Sequence, residues 1–289
     1  MDLELRQKIT QHTGSEIVSV KPVAGGCISD AFKLEMESGS RYFLKLNYIA
    51  NRDLFPKEAN GLIELGKPAI IRIPKVILSD CSFILMEFIE SGAKTKSFAK
   101  TFGRKFAELH KFKGRYFGFY EDNYIGSNVQ RNIPGDDEKE DWVNFFFTKR
   151  LLAQYTLAEK NDFATPDLTD GILEIEKRIY GILNGSAENP CLLHGDLWSG
   201  NYMVDDKGNP VLSDPAVYYG HREADLAMTK LFGGFRPEFY SAYNEVYPLT
   251  DGYEYREDIY KLYHLLNHMN LFGKGYYNQV MDTIRKYTS

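Results

Sequence analysis

The chain has 289 residues, of which 43% are hydrophobic and 26% are charged, which is typical of a globular protein and excludes a disordered or fibrous one. Its length allows two ordinary domains, or one domain with two lobes, and a core that needs no disulfide or metal. Lys and Arg number 35 against 40 Asp and Glu, a net charge of −5, so the chain carries no global footprint for nucleic acid.

The first 90 residues predict a small β-sheet with one helix. Short runs rich in β-forming residues, separated by Gly25-Gly26 and by Ser38-Gly39, are typical of strands joined by tight hairpins. The predicted strands are 18–23, 31–37, 41–46, 75–78 and 82–88. Between the third and the fourth, apolar residues at helical spacing predict a helix at 55–65.

The remaining two thirds of the chain predict mainly helices. Phe98, Phe102, Phe106 and Leu109 recur at three- and four-residue steps, the pattern of one buried helix face. Further expected elements are helices at 141–158 and 168–183, a hairpin around 206–208, and mostly helical structure over 225–286.

This order of elements predicts an α+β fold with two lobes. We expect a small antiparallel-sheet lobe at residues 1–90, a hinge at 86–92, and a larger, mainly helical lobe at 91–289, with a cleft between the lobes.

The sequence also bears on the compartment. No segment approaches the ~20 apolar residues of a membrane span, and the N-terminal MDLELRQKIT lacks the apolar core of a signal peptide. Cys27, Cys81 and Cys191 lie far apart without CxxC spacing, which favours a reducing environment. We therefore expect a cytoplasmic protein that binds neither membranes nor nucleic acid.

The most informative segment is HGDLWSGN at residues 194–201. Its His194, Asp196 and Asn201 fit the H-x-D-x-x-x-x-N pattern of a kinase catalytic loop, and Asp214 follows after a predicted hairpin. A carboxylate can accept the proton of an acceptor hydroxyl, while an amide oxygen and a second carboxylate can hold Mg²⁺. Asp and Asn also cap ordinary turns, but four polar residues at this spacing favour a kinase site.

Lys45 and Glu58 form a second candidate pair. Lys45 ends a predicted strand and Glu58 lies in the helix that follows; in kinases such a lysine contacts the nucleotide phosphates and a helix glutamate positions it. Either residue alone is more often a surface residue, but together, ahead of a kinase-type loop, they favour the pair.

A glycine-containing loop joins the first two predicted strands. Gly25, Gly26, Cys27 and Ser29 lie where a phosphate-covering loop belongs, although the letters are not G-x-G-x-x-G. A tight hairpin is the plain alternative, and the position favours the phosphate loop.

Four segments carry a family resemblance: HGDLWSGN, GGCISDAF, FPKEANGL and DPAVYYGHREADLAMTKLFGGF. Together they resemble the fructosamine-3-kinase and ketosamine-3-kinase family, within the aminoglycoside-phosphotransferase-like and protein-kinase-like clan. The resemblance implies a protein-kinase-like fold and ATP-dependent phosphorylation of the 3-hydroxyl of a ketosamine, an activity linked to deglycation. Ribulosamine and erythrulosamine adducts are implied acceptors beside fructosamine, as free molecules or on proteins.

The resemblance also assigns roles within the site. Asp196 is implied to be the catalytic base, Asn201 and Asp214 to hold Mg²⁺, and Lys45 with Glu58 to orient the phosphates of ATP. The implied hinge, whose backbone meets the adenine edge, consists of Met86, Glu87, Phe88 and Ile89.

Two further residues are expected to support the catalytic loop. Asp225 fits the clan's structural aspartate that steadies this loop, and its plain alternative is a helix N-cap. His194 is expected to be a buried organiser of the loop rather than a proton shuttle.

Three expectations concern the acceptor side and regulation. Trp198 is a candidate substrate residue that either stacks on the sugar or packs on the loop, and His268 is a candidate substrate residue in a hydrogen-bonded pocket wall, with an ordinary core polar residue as its alternative. His264 and Asn267 share a helix face with His268, but no third ligand makes them a zinc site. Cys27 is either a redox switch, as the resemblance suggests, or a small residue in a tight turn.

Alternatives remain at this stage. The same fold supports kinases of other small alcohols, such as aminoglycosides or choline, and a catalytically inactive nucleotide-binding protein is a further possibility. No A-P-E segment or long activation loop follows Asp214, which is against a protein kinase. The sequence leaves open a monomer or a redox-sensitive dimer.

Overall fold

The N-terminal part of the protein is a five-stranded sheet with one helix on each face. The computed structural model describes residues 1–23, 30–47 and 53–288. The strands are β1 (Ile17–Pro22), β2 (Asp30–Met36), β3 (Arg41–Leu46), β4 (Val76–Asp80) and β5 (Phe83–Glu87). The helices are α1 (Leu3–Thr13), before β1, and α2 (Leu54–Gly66), between β3 and β4. All neighbouring strands pair antiparallel, in the spatial order β1-β2-β3-β5-β4.

Alternation along β3 and β5 places different side chains on the two faces of this sheet. Leu44 and Leu85 pack in the cluster that includes α1, whereas Phe43 and Met86 pack in the cluster that includes α2. Since residues two apart on a strand share a face, Lys45 projects on the same side as Phe43. The alternation therefore directs the Lys45 ammonium towards α2.

The C-terminal part is mainly helical and contains three short two-stranded sheets. Its helices are α3 (Phe98–Leu109), α4 (Trp142–Phe146), α5 (Ala153–Lys160), α6 (Pro166–Ile182), α7 (Arg222–Leu231), α8 (Pro237–Val246), α9 (Tyr253–Phe272) and α10 (Tyr277–Thr288). Its strands are β6 (Asn123–Ile125), β7 (Asn128–Gln130), β8 (Cys191–Leu193), β9 (Tyr202–Val204), β10 (Pro210–Leu212) and β11 (Tyr218–Gly220). They pair as β6 with β7, β8 with β11 and β9 with β10, each pair antiparallel.

The architecture confirms the predicted α+β fold. The five predicted strands and the helix at 55–65 occur within about two residues of their expected ends. The phenylalanine stripe also forms the buried face of α3, where the Phe102 ring meets Phe239 of α8 edge-on at 5.2 Å between ring centroids. The boundary at residue 90 stays a prediction. Beyond it, the Gly92 N–H donates to the Val204 carbonyl at 2.9 Å, which ties the chain after the hinge to β9.

One N-terminal element was missed. The sequence predicts a single helix in the first lobe, and this is wrong because α1 also forms there. Asp2 caps α1 by accepting the Leu5 N–H at 2.8 Å, and only Leu5 and Ile9 are buried. Two buried residues make an apolar stripe too narrow for periodicity to reveal, so the N-cap was the more useful signal.

The predicted helix at 141–158 is confirmed as a helical segment, but part of it is not α-helical. A π-helical stretch, Phe147–Leu152, separates α4 from α5. It carries Arg150, which is fully buried, donates to Asn132 Oδ1 at 2.8 Å and stacks on the Tyr218 ring at 3.9 Å. Insertions of this kind re-aim one side chain within a helix, and here the re-aimed guanidinium packs beneath β11.

Within residues 1–23, 30–47 and 53–288, no helix combines the length and the apolar composition that crossing a bilayer requires.

Candidate active site

The loop at residues 194–201 connects β8 to β9 and is held by its own backbone and by His194. The His194 side chain is fully buried; its Nε2–H donates to the Ser213 carbonyl at 2.9 Å, and its Nδ1 accepts the Asp196 N–H at 3.3 Å. This pair of bonds fixes one neutral tautomer, and burial lowers the pKa of His194. The contacts match an organising role better than a proton-shuttling one.

Asp225 braces the same loop from α7. Its carboxylate accepts the His194 N–H at 2.7 Å and the Gly195 N–H at 2.8 Å, and it lies 3.3 Å from His110 Nε2. Burial acts to raise the pKa of Asp225, but the hydrogen bond and charge of His110, with the loop N–H groups, hold it below its ordinary value. The N-cap interpretation is wrong, because Asp225 lies inside α7 and His221 is the N-cap.

Asp196 and Asn201 meet within the loop. The Asn201 Nδ2 donates to the Asp196 carbonyl at 2.8 Å and to the Asp196 Oδ2 at 3.1 Å. The Ser213 N–H donates to the Asn201 carbonyl at 3.1 Å, which brings the end of β10 beside the loop. Burial, followed by the charges of Asp214 and Asp225, raises the pKa of Asp196 well above its ordinary value, against the opposing hydrogen bond from Asn201.

Lys45 joins the two parts of the protein. Its Nζ lies 2.7 Å from Glu58 Oε1 on α2 and also forms an ion pair with the Asp214 carboxylate, directly after the β9–β10 hairpin. Burial acts to lower the pKa of Lys45, but the two carboxylates outweigh it and raise the pKa, so the side chain stays an ammonium. Partial loss of solvent acts to raise the pKa of Asp214, and the Lys45 ammonium lowers it below its ordinary value.

A cavity of about 140 Å³ opens beside this ion pair. Lys45, Glu58 and Asp214 line one end of it, and the four predicted hinge residues line another part. The lining residues that the sequence did not single out are Val23, Phe43, Leu62, Pro74, Ser91, Met203 and Ser213. Apolar walls next to a fixed ammonium suit a flat ring that carries phosphates.

A charged side chain contacts the predicted hinge. Arg72 lies 2.5 Å from Glu87 Oε1 and 3.2 Å from Asp205 Oδ2, and the Glu87 N–H donates to the Lys75 carbonyl at 2.8 Å. Because Asp205 follows β9, Arg72 links Glu87 of the predicted hinge to the β9–β10 hairpin.

Comparison with known proteins identifies the family. The fructosamine kinase family model matches residues 1–289. The chain belongs to the fructosamine kinase family. It is therefore an ATP-dependent phosphotransferase with a kinase-like fold.

Two curated relatives span most of this fructosamine kinase family member. A protein named "Probable ketoamine kinase" from Enterococcus faecium is 40% identical over 93% of this chain and 95% of its own length. The chloroplastic protein-ribulosamine 3-kinase of Oryza sativa subsp. indica is 40% identical over 96% of this chain and 81% of its own length.

Solved structures agree on the fold. A crystal structure of a "putative fructosamine-3-kinase" from Thermobifida fusca superposes with a TM-score of 0.87 at 32% identity, covering 98% of both chains. The ADP-bound aminoglycoside phosphotransferase APH(2'')-Ib superposes with a TM-score of 0.65 at 15% identity, covering 100% of this chain and 98% of its own. The second likeness shows the fold alone.

The two candidate substrate residues, Trp198 and His268, lie on one aromatic wall. The Trp198 ring is 36% exposed and lies 6.2 Å from the Phe232 ring, which in turn lies 4.6 Å from the His268 ring. His268 also packs against Phe272 at 5.5 Å and Tyr276 at 5.4 Å. Sequence reasoning missed Phe232, the ring that joins the two predicted residues. Its only signal was its place in the quoted segment DPAVYYGHREADLAMTKLFGGF.

On the same face of α9, Asn267 has ordinary hydrogen-bond partners, whereas the buried His264 Nδ1 has none among the described residues. Asn267 Oδ1 accepts from Asn128 at 2.9 Å and from Gln154 at 3.1 Å, and the His268 Nδ1–H donates to the His264 carbonyl at 2.8 Å. In the part of the chain that the structure describes, no three His, Cys, Asp or Glu side chains are grouped to hold a metal ion.

The predicted phosphate loop lies outside the described residues. Gly25, Gly26, Cys27 and Ser29, including the candidate redox role of Cys27, therefore stay predictions of the sequence.

Gly195, in the loop at residues 194–201, is a position that leaves no room for a side chain. Its φ is +81°, and a Cβ would lie 1.9 Å from the Ala216 carbonyl oxygen. We expect Gly195→Ala to displace the loop, lower the melting temperature and reduce kcat at least tenfold, since strain and a backbone clash act together. Gly181→Ala, at a helical site with no atom within 4 Å of the added Cβ, is the control; equal behaviour of the two variants in melting and rate assays would contradict this expectation.

Proposed function

We propose that the protein transfers the γ-phosphoryl group of ATP to the 3-hydroxyl of a ketosamine, either free or attached to a protein. The observation that carries the proposal is the convergence of Asp196, Asn201, Asp214 and the Lys45–Glu58 pair in a chain 40% identical to proteins named ketoamine kinase and protein-ribulosamine 3-kinase.

Asp196 is the proposed catalytic base. Its raised pKa makes the carboxylate a better proton acceptor than an ordinary aspartate, and the Asn201 amide orients one of its oxygens. The brace from Asp225 and His194 holds the loop backbone, so Asp196 keeps its position as the acceptor hydroxyl approaches.

Lys45 is the proposed contact for the ATP phosphates, and the adjacent cavity is the proposed adenine site. Glu58 and Asp214 hold the ammonium in place and charged, so no reorientation is needed when the nucleotide binds. The backbone at Met86, Glu87, Phe88 and Ile89 would meet the adenine edge, and Gly25, Gly26, Cys27 and Ser29 would cover the phosphates.

The donor set at Asn201 and Asp214 fits magnesium. The Asn201 amide nitrogen is turned towards Asp196, which leaves its oxygen as the donor for a cation, and Asp214 adds a carboxylate. The charge of Asp214 disfavours ionisation of Asp196, so a cation here relieves repulsion. When bound, Mg²⁺ would neutralise charge on the transferred phosphoryl group.

The aromatic wall is the proposed acceptor site. Trp198 lies two residues from Asp196 and is partly exposed, although its ring also lies against Gly200 of the loop, and His268 lies on the same wall. The His268 Nδ1–H is committed to a carbonyl, and burial lowers its pKa, so the neutral ring has an acceptor nitrogen at Nε2 for a substrate hydroxyl.

The test is a parallel acceptor assay. ATP consumption is measured with ribuloselysine, fructoselysine, kanamycin and choline, and the phosphorylated position of the product is read by NMR. We expect kcat/KM for at least one ketosamine to exceed that for kanamycin and choline by about 10²-fold or more, because a site built to hydrogen-bond one acceptor rejects others strongly. Faster turnover of kanamycin or choline would assign the site to another alcohol, and binding of ATP without any turnover would favour a nucleotide-binding protein.

A further inference from the structure

Helix α2 makes a second set of contacts, separate from the Glu58–Lys45 pair. Asn60 Nδ2 donates to Glu121 Oε1 at 2.8 Å, and Glu64 Oε1 accepts from the Tyr219 hydroxyl at 2.8 Å. Asp53, just before α2, accepts from the Tyr124 hydroxyl at 2.5 Å. Asp53, Asn60 and Glu64 are seven and four residues apart, about two turns and one turn of a helix, so they lie on one side of α2, and this side is bonded to the C-terminal part.

The partner surface for α2 is rigid. The Tyr219 backbone exchanges two hydrogen bonds with Gly118, each 2.8 Å long, and the Tyr219 ring lies over Gly114, where a Cβ would come within 2.3 Å of the ring. The Tyr219 hydroxyl is therefore presented from a fixed ring, and α2 must adopt one position to bring Glu64 to it.

This surface is continuous with the catalytic segment. Tyr219 lies on β11, five residues beyond Asp214. Between them, the Val217 carbonyl accepts from Asn123 Nδ2 at 2.8 Å and the Ala216 carbonyl from Gln130 Nε2 at 2.9 Å. The β6–β7 hairpin and the residues after Asp214 thus form one hydrogen-bonded support. A shift of α2 relative to this support would move Glu58 relative to Asp214, and Lys45 pairs with both.

We infer that Tyr219 and Asn60, through Glu64 and Glu121, are positioning residues that keep α2 docked so that the Lys45–Glu58 pair is formed before the nucleotide binds. The inference rests on the proposed role of Lys45 in phosphate binding but not on the identity of the acceptor. In a two-state equilibrium the apparent affinity for a ligand falls in proportion to the population of the competent state. Weakening the hydrogen bonds that hold α2 against the C-terminal part therefore reduces the affinity for the nucleotide and leaves the affinity for the acceptor unchanged.

The experiment compares Tyr219→Phe, Asn60→Ala and the double variant with the wild-type protein. Tyr219→Phe removes one hydroxyl, and Asn60→Ala removes one amide while favouring the helix. Affinity for a non-hydrolysable ATP analogue with Mg²⁺ is measured by calorimetry, and KM for ATP and for the acceptor by steady-state kinetics. We expect about threefold weaker analogue binding in each single variant and about tenfold or more in the double variant, with KM for ATP rising in parallel and KM for the acceptor unchanged.

The matched control is Tyr155→Phe. Tyr155 is buried, and its hydroxyl donates to the Glu159 carboxylate at 3.0 Å, on α5 and remote from α2. We expect its nucleotide affinity to equal that of the wild type, whatever its melting temperature.

The outcomes separate this inference from the proposed function. Analogue binding that stays at the wild-type level in the double variant overturns the inference, as does a lower melting temperature with unchanged nucleotide affinity, which is the result of a merely structural contact. If the wild type binds the analogue but phosphorylates no ketosamine, the proposed acceptor is wrong, and the calorimetric comparison still decides the role of Tyr219 and Asn60.

Discussion

Replacing Asp196 with Asn is expected to lower kcat by about 10²-fold or more, the scale of a lost general base. Asn has the same shape as Asp, and the 2.8 Å bond from Asn201 Nδ2 to the Asp196 backbone carbonyl survives the change, so the loop should keep its conformation. Lys45 and Glu58 are untouched, and KM for ATP should therefore stay within about twofold of the wild-type value. The measurement is steady-state kinetics with ATP and the best ketosamine of the acceptor assay.

The pH profile gives an independent readout of Asp196. Its raised pKa places the acid limb of kcat/KM above the ordinary aspartate value of about 3.9, with the rate falling as the pH drops and the carboxylate is protonated. This limb should disappear in Asp196→Asn. The control is Asp282→Asn at an exposed aspartate paired with Arg285, which should retain both rate and profile. A near-normal rate in Asp196→Asn, or an unchanged acid limb, would remove Asp196 from its proposed role.

The elements of the site that the sequence predicted are the ones with local signals. The loop from His194 to Asn201 has its residues at fixed short spacing, and Lys45 and Glu58 lie on neighbouring elements, 13 residues apart. Alternation along a strand and the order strand-then-helix were enough to place these two side chains on facing surfaces. The sheet-then-helices order likewise predicted the α+β fold.

The parts that the sequence did not reveal depend on contacts between distant segments. Lys45 and Asp214 are 169 residues apart, and nothing local to Phe43 or Met203 marks them as walls of one cavity. His110 lies 115 residues before Asp225 and ends an otherwise ordinary helix. The β6–β7 hairpin has strands of only three residues each, too short for an alternating pattern, although it forms part of the support for α2.

Three side chains stabilise the positions of different elements of the proposed site. Asp225, Arg72 and Tyr219 each lie away from the proposed reacting atoms, and each holds one element of the proposed site: the loop at residues 194–201, the predicted hinge and α2. We expect these hydrogen bonds to position the elements of the proposed site, so stability and activity should fall together when one of them is lost.

Asp225→Ala is the sharpest test of that coupling. The change leaves the His194 and Gly195 N–H groups buried without an acceptor, and each such group costs about 1–3 kcal/mol, so we expect a loss of roughly 3 kcal/mol or more in the free energy of unfolding. Since the lost bonds hold the catalytic loop, kcat should fall at least about tenfold at temperatures where the variant is still folded. Urea denaturation followed by circular dichroism gives the free energy of unfolding, and initial rates measured on the same samples give kcat.

The pH dependence and a matched control complete the test. The pKa of Asp225 is below its ordinary value in the folded protein, so its contribution to stability is fully present above about pH 4 and is lost as the pH falls through the folded-state pKa. The difference in the free energy of unfolding between the wild type and Asp225→Ala should therefore be constant near neutral pH and should decrease at acidic pH. Asp170→Ala, at an exposed position on α6, should change the free energy of unfolding by no more than about 0.5 kcal/mol. If Asp225→Ala were as stable and as active as Asp170→Ala, the two loop N–H groups would not depend on this carboxylate, and the proposed brace would be wrong.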